Sequence, residues 1–174
     1  VTGFKKLTEF DFLMAVNFSG RVLVDSIHPE QLGKTVPAQY QDLLQKTVEN
    51  GRYLGMWSEN GRLYQLVGLP LLGFDAVLLA GNEVTDKFAY KIDELSRNQI
   101  TFFIGDKVVA SAFAKELSAD LEKSLGAVKE RISKDAGEGK SKHTQTFSLN
   151  VGSESYVAIA GAMENVPEAG FIIA

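Results

Sequence analysis

The sequence predicts an α+β fold built from two similar modules in tandem. The order strand–strand–helix–strand–strand–strand occurs twice along the 174 residues, and a period of roughly 90 residues is too long for a solenoid unit. Residues 21–26 correspond to 107–111, and residues 61–67 correspond to 154–159. A content of 45% apolar and 23% charged residues is ordinary for a folded domain. We therefore expect a first module at residues 1–84 and a second at residues 85–174.

The first module begins with a hairpin and a helix. Residues 12–16 and 21–26 are apolar, β-branched runs on either side of a turn that contains Gly20, which indicates two strands. A helical spacing of apolar residues follows at residues 37–50, with a proline in its first turn and Gly51 placed to end it. The pattern therefore predicts a helix that packs one face against the strands.

A second hairpin completes the first module. Residues 53–58 and 62–70 flank Asn60-Gly61, which is the strongest short-range hairpin signal in a sequence. Residues 76–80 then form a run apolar enough for a central strand. The order of elements predicts an antiparallel sheet flanked by helices.

The second module repeats this order after a helix at residues 86–97, which Thr85 caps and whose expected buried residues are Phe88, Ile92 and Leu95. Two strands, a helix and three strands follow. The strands are at residues 100–104, 107–111, 144–151, 155–163 and 170–174, and the helix carries Leu117, Leu121, Leu125, Val128 and Ile132 on one face. Residues 135–142 are expected as an exposed loop and residues 165–168 as a turn.

The composition excludes several kinds of chemistry. With no cysteine, the chain has no disulfide, no thiol catalysis and no cysteine-based metal site, and its two histidines, His28 and His143, leave little for a metal centre. The net charge is −4, and the sequence has no stripe of basic residues of the kind that nucleic-acid binding needs. No nucleophile elbow, phosphate-binding loop, His-Glu-x-x-His or haem-attachment motif occurs. We expect no catalysis by this chain, no metal and no cofactor.

The second hairpin carries the first candidate binding residues. Because side chains alternate along a strand, Tyr53, Gly55 and Trp57 share a face with Tyr64 and Leu66. An aromatic wall with a gap at the glycine would make a cleft for a small ligand, which the polar tips of Tyr and Trp would orient. The alternative is that this face packs on the helix of its own module.

Three charged or titratable residues are further candidates. Arg52 and Arg62 could bind a ligand carboxylate bidentately, although Arg62 could instead pair with Glu59 beside the exposed turn. His28 lies in the loop between strand and helix, where it could bind a ligand or respond to pH. The alternative for His28 is a solvated loop residue.

The doubled pattern resembles the double-Cache sensor domains, which are PAS-like extracytoplasmic input modules of bacterial receptors. Residues 12–26, Leu32-Gly33 and residues 60–67 carry the resemblance, and residues 100–111 and 155–173 extend it over nearly the whole chain. The resemblance implies a periplasmic domain of a membrane-anchored homodimeric receptor, whose kinase, cyclase or chemotaxis output domain lies outside this chain. It also implies that a small ligand, commonly a carboxylate or amino acid, binds in the first, membrane-distal module. The signal of that binding would then pass through the second module.

The chain begins at Val1 without a methionine and stops in an apolar run at Ala174. We therefore expect a piece of a longer protein, with residues 1–10 as the end of a long helix rising from the membrane. No window approaches the roughly 20 apolar residues of a membrane span, and no signal peptide is present. The alternatives are a PAS-like structural or protein-interaction module that binds no ligand, and a cytosolic PAS or longin-type domain.

Overall fold

The computed structural model describes residues 10–137, 143–164, 166 and 168–174. Contacts between Cα atoms divide these residues into two units. The first unit contains the described residues up to Trp57 together with Tyr64–Glu83, and the second contains Ser58–Leu63 and Val84–Ala174. Each unit has its own apolar core. The boundary between residues 84 and 85 stays a prediction.

The first unit is built on a five-stranded antiparallel sheet with the order β2-β1-β5-β4-β3, except that the tip of its second hairpin, Ser58–Leu63, is grouped with the second unit. A helix precedes the second hairpin, and short 3₁₀ turns lie at Pro29–Gln31, Ala38–Tyr40 and Leu72–Phe74. The elements are β1 (Phe12–Asn17), β2 (Val22–Asp25), α1 (Gln41–Asn50), β3 (Tyr53–Glu59), β4 (Arg62–Leu71) and β5 (Ala76–Glu83).

The second unit has a sheet of the same size with the order β7-β6-β10-β9-β8. Its long helix follows the first hairpin, after a 3₁₀ turn at Lys115–Leu117. The elements are α2 (Asp86–Ser96), β6 (Ile100–Ile104), β7 (Lys107–Ser111), α3 (Ser118–Gly137), β8 (Phe147–Val151), β9 (Glu154–Ala162) and β10 (Ala169–Ile173).

The two sheets repeat each other strand by strand. If β1 to β5 are set against β6 to β10 in order, both sheets have the same arrangement of neighbours. The register of the first hairpin also shifts at the equivalent point, between Ala15 and Val16 in β1 and between Phe102 and Phe103 in β6. The predicted fold class is therefore confirmed as α+β, with two tandem modules that each have an antiparallel sheet flanked by helices.

The predicted turns are confirmed where backbone conformation decides them. Asn60 and Gly61 have φ angles of 52° and 72°, the positive pair that a two-residue type I′ hairpin turn requires. Gly51 ends α1 with a φ of 70°, as expected for a helix that stops in the left-handed region. Both positions are set by residues adjacent in sequence, which is why the sequence identified them.

The inner face of the first sheet is the face that carries Phe12, Met14 and Leu79, all fully buried. Tyr40, from the turn before α1, and Leu43 of α1 belong to the same apolar core. Gly68 of β4 lies opposite Leu79 in the register and has no side chain to keep the helix away. The sheet and the helix can therefore approach closely at this point.

The buried face of α3 is confirmed, but that of α2 is only partly as predicted. Leu121, Leu125 and Val128 of α3 are buried in the second core. In α2, Leu95 was expected to be buried and is 88% exposed. The prediction for Leu95 was wrong because the first half of α2 makes the contacts: Ala89 is fully buried, and the ring of Phe88 lies 5.9 Å from that of Phe102.

Three predicted segments fall wholly or partly on residues that are not described. The expected end of a long helix at residues 1–10 lies outside the described residues except for residue 10. Of the expected loop at residues 135–142, residues 135–137 belong to α3 and the others lie outside the described residues. Two of the four residues of the expected turn at 165–168 also lie outside them.

We expect Gly68→Ala to destabilise the first unit. A Cβ atom at Gly68 would lie 2.5 Å from Thr47 Oγ1 and 3.0 Å from Leu79 Cδ2, so the free energy of unfolding should fall by about 1–3 kcal/mol. Gly73→Ala is the matched control, because a Cβ atom there meets nothing within 4 Å. Urea unfolding followed by the fluorescence of the single tryptophan checks this, and equal midpoints for the two variants would contradict it.

Candidate functional site

A chain of four neighbouring aromatic rings crosses the inner face of the first sheet. The ring of Trp57 lies on that of Tyr40, with centroids 4.9 Å apart and an angle of 26° between the planes. Tyr40 in turn lies 6.3 Å from Phe12, and Phe12 lies 6.0 Å from Tyr64. Tyr64 is buried, and Trp57 is half-buried against the same core. The structure thus brings the predicted Trp57 and Tyr64 into one cluster, together with Tyr40, which was not among the predicted binding residues.

The indole N–H of Trp57 is a buried donor without an acceptor. Its Nε1 atom has no hydrogen-bond partner among the described residues and is shielded from solvent, although the Trp57 side chain as a whole is only half-buried. A buried N–H group without a partner costs about 1–3 kcal/mol. A bound molecule that offers an acceptor to this atom would recover that cost.

Tyr53 fills the gap that the sequence places at Gly55. A Cβ atom on Gly55 would collide with the hydroxyl and ring of Tyr53, which lies over the glycine. Tyr53 is 8% exposed, and its hydroxyl donates a hydrogen bond of 3.3 Å to the carbonyl of Met56. The space at Gly55 is therefore occupied by the protein itself, and the role of Tyr53 in ligand binding stays a prediction.

Asp25, at the end of β2, is a buried carboxylate that the sequence reasoning did not select. The side chain is 3% exposed. Oδ1 accepts hydrogen bonds from the backbone N–H groups of Ile27 (2.9 Å) and His28 (2.8 Å). Oδ2 is buried and has no partner in the described part of the chain. The available signal was an acidic residue closing an apolar strand, Val22–Asp25, where a charge is unusual.

Buried polar atoms without partners are few among the described residues. Besides Trp57 Nε1 and Asp25 Oδ2, both in the first unit, there is Oε1 of Gln99 in the second. The atoms in the first unit are one donor and one acceptor. Since buried polar groups are normally paired, each such atom calls for an explanation.

His28 lies beside Asp25 and is held by it. Besides the backbone bond to Asp25, its Nδ1 lies 3.3 Å from a carboxylate oxygen of Glu30, and the histidine side chain is 33% exposed. The predicted loop position is confirmed, since His28 immediately precedes the 3₁₀ turn Pro29–Gln31. A direct role for its imidazole in binding stays a prediction.

The two predicted arginines are both exposed. Arg52 immediately precedes β3 at the base of the second hairpin, and Arg62 begins β4 just after the turn at its tip. Neither side chain belongs to the buried inner face. Their proposed contact with a ligand carboxylate stays a prediction.

A cleft of about 580 Å³ opens at the side of α1, away from the six predicted binding residues. Its walls are apolar side chains with amide groups and one carboxylate, including Val16, Leu44, Val48, Gln41, Gln45 and Glu49. Gln45 Nε2 donates a hydrogen bond of 2.7 Å to Glu49. Because Gln45 and Glu49 already bind each other, they are less available to a polar ligand than the unpartnered polar atoms of the inner face.

The second unit has a cleft of about 500 Å³ between α3 and the start of β10. Lys129 on its rim forms an ion pair with Asp106, and Glu168 is another charged lining residue. Within the described ranges, no three His, Asp or Glu side chains come together in a way that could hold a metal ion. No helix in that part of the chain is long and apolar enough to cross a membrane.

We expect Tyr53 to make the stability of the first unit depend on pH in the alkaline range. Burial raises the pKa of its phenol above 10.0, an effect that the nearby Lys46 opposes and Asp42 assists. The folded state therefore retains a proton that the unfolded state loses near pH 10. The stabilisation that comes from this difference in pKa is complete below pH 10. It is lost as the pH rises through the pKa of Tyr53 in the folded state.

Urea unfolding of the wild type and of Tyr53→Phe between pH 8 and about pH 11 measures this effect. The free energy of unfolding should fall more steeply above pH 10 in the wild type than in the variant. Below that pH the two curves should run parallel, which serves as the internal control. Equal slopes throughout would show that the phenol is not buried as described.

Of the comparisons with known proteins, only the one with solved structures found a similarity. No protein-family model matches the chain, and no curated protein matches it. A solved structure that the chain resembles is the periplasmic domain of LuxQ from Vibrio cholerae. The two are 13% identical, and the likeness covers 99% of this chain and 76% of that chain with a TM-score of 0.45.

Proposed function

We propose that this chain is the extracytoplasmic sensing domain of a membrane-bound bacterial signal-transduction receptor, and that its first unit binds a small molecule. The observation that carries the proposal is Trp57, whose buried indole N–H has no acceptor within the described residues. The ring that carries this atom is stacked on that of Tyr40 in the core of the first unit. The periplasmic location, the output domain outside this chain and the homodimeric parent receptor rest on the double-Cache resemblance.

The inner face suits a ligand that displaces side chains rather than one that enters an open cleft. Its rings are held mainly by stacking, which adds about 0.5–1.5 kcal/mol per pair beyond the area buried. The hydroxyl of Tyr53 makes only a long bond of 3.3 Å to Met56. A ligand acceptor at Trp57 Nε1 would satisfy a donor that the free protein leaves without a partner, so binding and rearrangement would favour each other.

The proposed signal is a change in population between two states of the receptor. A ligand shifts such an equilibrium only by its difference in affinity for the two states. A coupling of about 1–3 kcal/mol, or roughly 5- to 150-fold in affinity, is enough for a useful switch. In our proposal the second unit passes this bias on through its last strand, β10.

A second candidate is a protein-interaction module that binds no small molecule. It is favoured by an exposed apolar patch in the first unit, formed by Phe18, Leu72 and Phe74, which are 49%, 76% and 81% exposed. The two turns that carry these residues are joined, because the backbone N–H of Phe18 donates a hydrogen bond of 2.8 Å to the carbonyl of Asp75. Exposed apolar patches commonly mark sites where another protein binds.

Ligand binding is tested by a thermal-shift panel of amines, alcohols, amino acids, carboxylates and sugars. A compound at about 100 times its Kd should raise the Tm by roughly 5 to 10 °C. It should also change the emission of Trp57, the single tryptophan in the chain. If no compound has either effect, the first unit is not a small-molecule sensor and the interaction module becomes the better explanation.

Trp57→Phe tests the proposed contact. The variant keeps an aromatic ring on Tyr40 but removes the N–H, so ligand affinity should fall about tenfold while the Tm of the free protein changes little. Tyr90→Phe is the control, because it removes a polar aromatic atom from an exposed residue of α2. Unchanged affinity in Trp57→Phe would place the ligand elsewhere.

A further inference from the structure

The tetrapeptide Glu-Asn-Gly-Arg occurs twice in the chain, at residues 49–52 and 59–62. Asn50, Asn60 and the glycine that follows each of them are all exposed. An asparagine followed by glycine is prone to spontaneous deamidation, because glycine has no side chain to obstruct the reaction at its own nitrogen. Since the flanking residues and the exposure are alike, any difference in reactivity between Asn50 and Asn60 comes from the backbone conformation.

Deamidation begins when the backbone nitrogen of the glycine attacks Cγ of the asparagine. A C–N bond forms, and the side-chain nitrogen leaves as ammonia with the proton that the glycine N–H gives up. The product is a five-membered succinimide ring. The ring holds the glycine nitrogen and Cβ nearly eclipsed, which for an L-residue sets ψ at about −120°, the value at the first central position of a type II′ turn. The reaction therefore needs a backbone that can reach this angle and a glycine N–H that is free.

Asn60 already has the sign of φ that a type II′ turn requires. Its φ is 52° and that of Gly61 is 72°, which is the type I′ pair. Types I′ and II′ are both standard two-residue hairpin turns, so rotating the peptide between these residues leaves the hairpin closed. The rotation takes Gly61 to a negative φ, which glycine adopts equally well. The N–H of Gly61 makes no hydrogen bond within the described part of the chain.

Asn50 is held in a conformation that opposes the same reaction. It is the last residue of α1, and a helical residue has a negative φ. A ψ of about −120° combined with such a φ lies outside the allowed regions. Asn50 would therefore have to leave the helix and change the sign of its φ before the ring could close. The N–H of Gly51 also donates a hydrogen bond of 3.4 Å to the carbonyl of Val48, which would have to break.

We propose that Asn60 is a site of spontaneous modification, where the folded chain converts asparagine to aspartate and isoaspartate, and that the fold protects Asn50. Water opens the ring by breaking one of its two C–N bonds. Attack at Cγ gives aspartate, and attack at the main-chain carbonyl gives isoaspartate, in which the backbone runs through Cβ and Cγ. Either product adds a carboxylate next to Glu59.

The two products should affect the second hairpin differently. Asp-Gly is a preferred pair in type I′ turns, so aspartate should leave the hairpin intact. Isoaspartate adds one atom to the backbone of a two-residue loop, and the length of that loop fixes the strand register. The strands that the turn joins carry Trp57 and Tyr64. Isoaspartate at residue 60 should therefore disturb the aromatic cluster, whether or not the first unit binds a ligand.

The test incubates the folded 174-residue chain in mildly alkaline buffer and follows both sites by mass spectrometry. Trypsin cleaves after Lys46, Arg52 and Arg62, which places the two asparagines on separate peptides, residues 47–52 and 53–62. The mass gained when NH₂ is replaced by OH reports each conversion, and electron-transfer fragmentation distinguishes isoaspartate from aspartate. Asn60 should convert at least about tenfold faster than Asn50, because Asn50 has first to enter the left-handed region.

The unfolded chain is the matched control. In concentrated urea the two identical tetrapeptides lose their different conformations, so their rates should become equal. Asn60→Gln should abolish the conversion of peptide 53–62, and Asn50→Gln should leave it unchanged. Asn60→Asp adds the charge without the extra backbone atom. The emission of Trp57 should therefore change with the isoaspartate content of the incubated wild type and stay unchanged in Asn60→Asp.

Each outcome decides the proposal. Faster conversion at Asn60 in the folded chain, with equal rates in urea, supports it. Equal rates in the folded chain, faster conversion at Asn50, or no conversion at Asn60 would overturn it. A change of Trp57 emission that Asn60→Asp reproduces would overturn the effect assigned to isoaspartate. None of these measurements uses a ligand, so the sensing function stands or falls separately.

Discussion

The stacking of Tyr40 between Trp57 and Phe12 is the contact on which the first unit depends. Trp57 lies on the edge strand β3 and Phe12 on β1, and Tyr40 comes from the turn that leads into α1. One ring thus connects an edge of the sheet, a strand within it and the start of the helix that covers it. The helix can lie close to the sheet because Gly68 offers no side chain beneath Thr47. Any molecule that enters this core must move Tyr40 or one of its neighbours.

The two units use one backbone design with different side chains at one position. Both sheets have the same strand order and the same register shift in the first hairpin. The second unit pairs Thr101 with Ser111 and so satisfies the two buried hydroxyls at this position. The first unit places Met14 opposite Asp25 and leaves a carboxylate oxygen without a partner in the described chain. This difference in chemistry on a common backbone makes the first unit the better candidate for ligand binding.

Much of the fold could be predicted because its signals are local. Asn60-Gly61 specifies a two-residue turn through the backbone angles of two adjacent residues. The apolar spacing of Leu121, Leu125 and Val128 identified the buried face of α3. The same reasoning failed at Leu95, because periodicity shows which residues share a helix face but not where along the helix the packing ends. Gly55 is a similar case, since alternation placed it on the inner face but did not reveal that Tyr53 lies over it.

By itself, the sequence determined the order of elements, the repeat, the turn at Asn60-Gly61, the end of α1 at Gly51 and the face on which Trp57, Tyr64 and Tyr53 lie. These features follow from spacing along a single strand or helix, or from the residues within one turn. Only the tertiary structure decided which buried polar atoms lack a partner. That outcome depends on the residue that the register sets opposite, Met14 for Asp25 and Thr101 for Ser111. Spacing along one strand carries no information about a residue contributed by another, so Asp25 emerged only when the strands were paired.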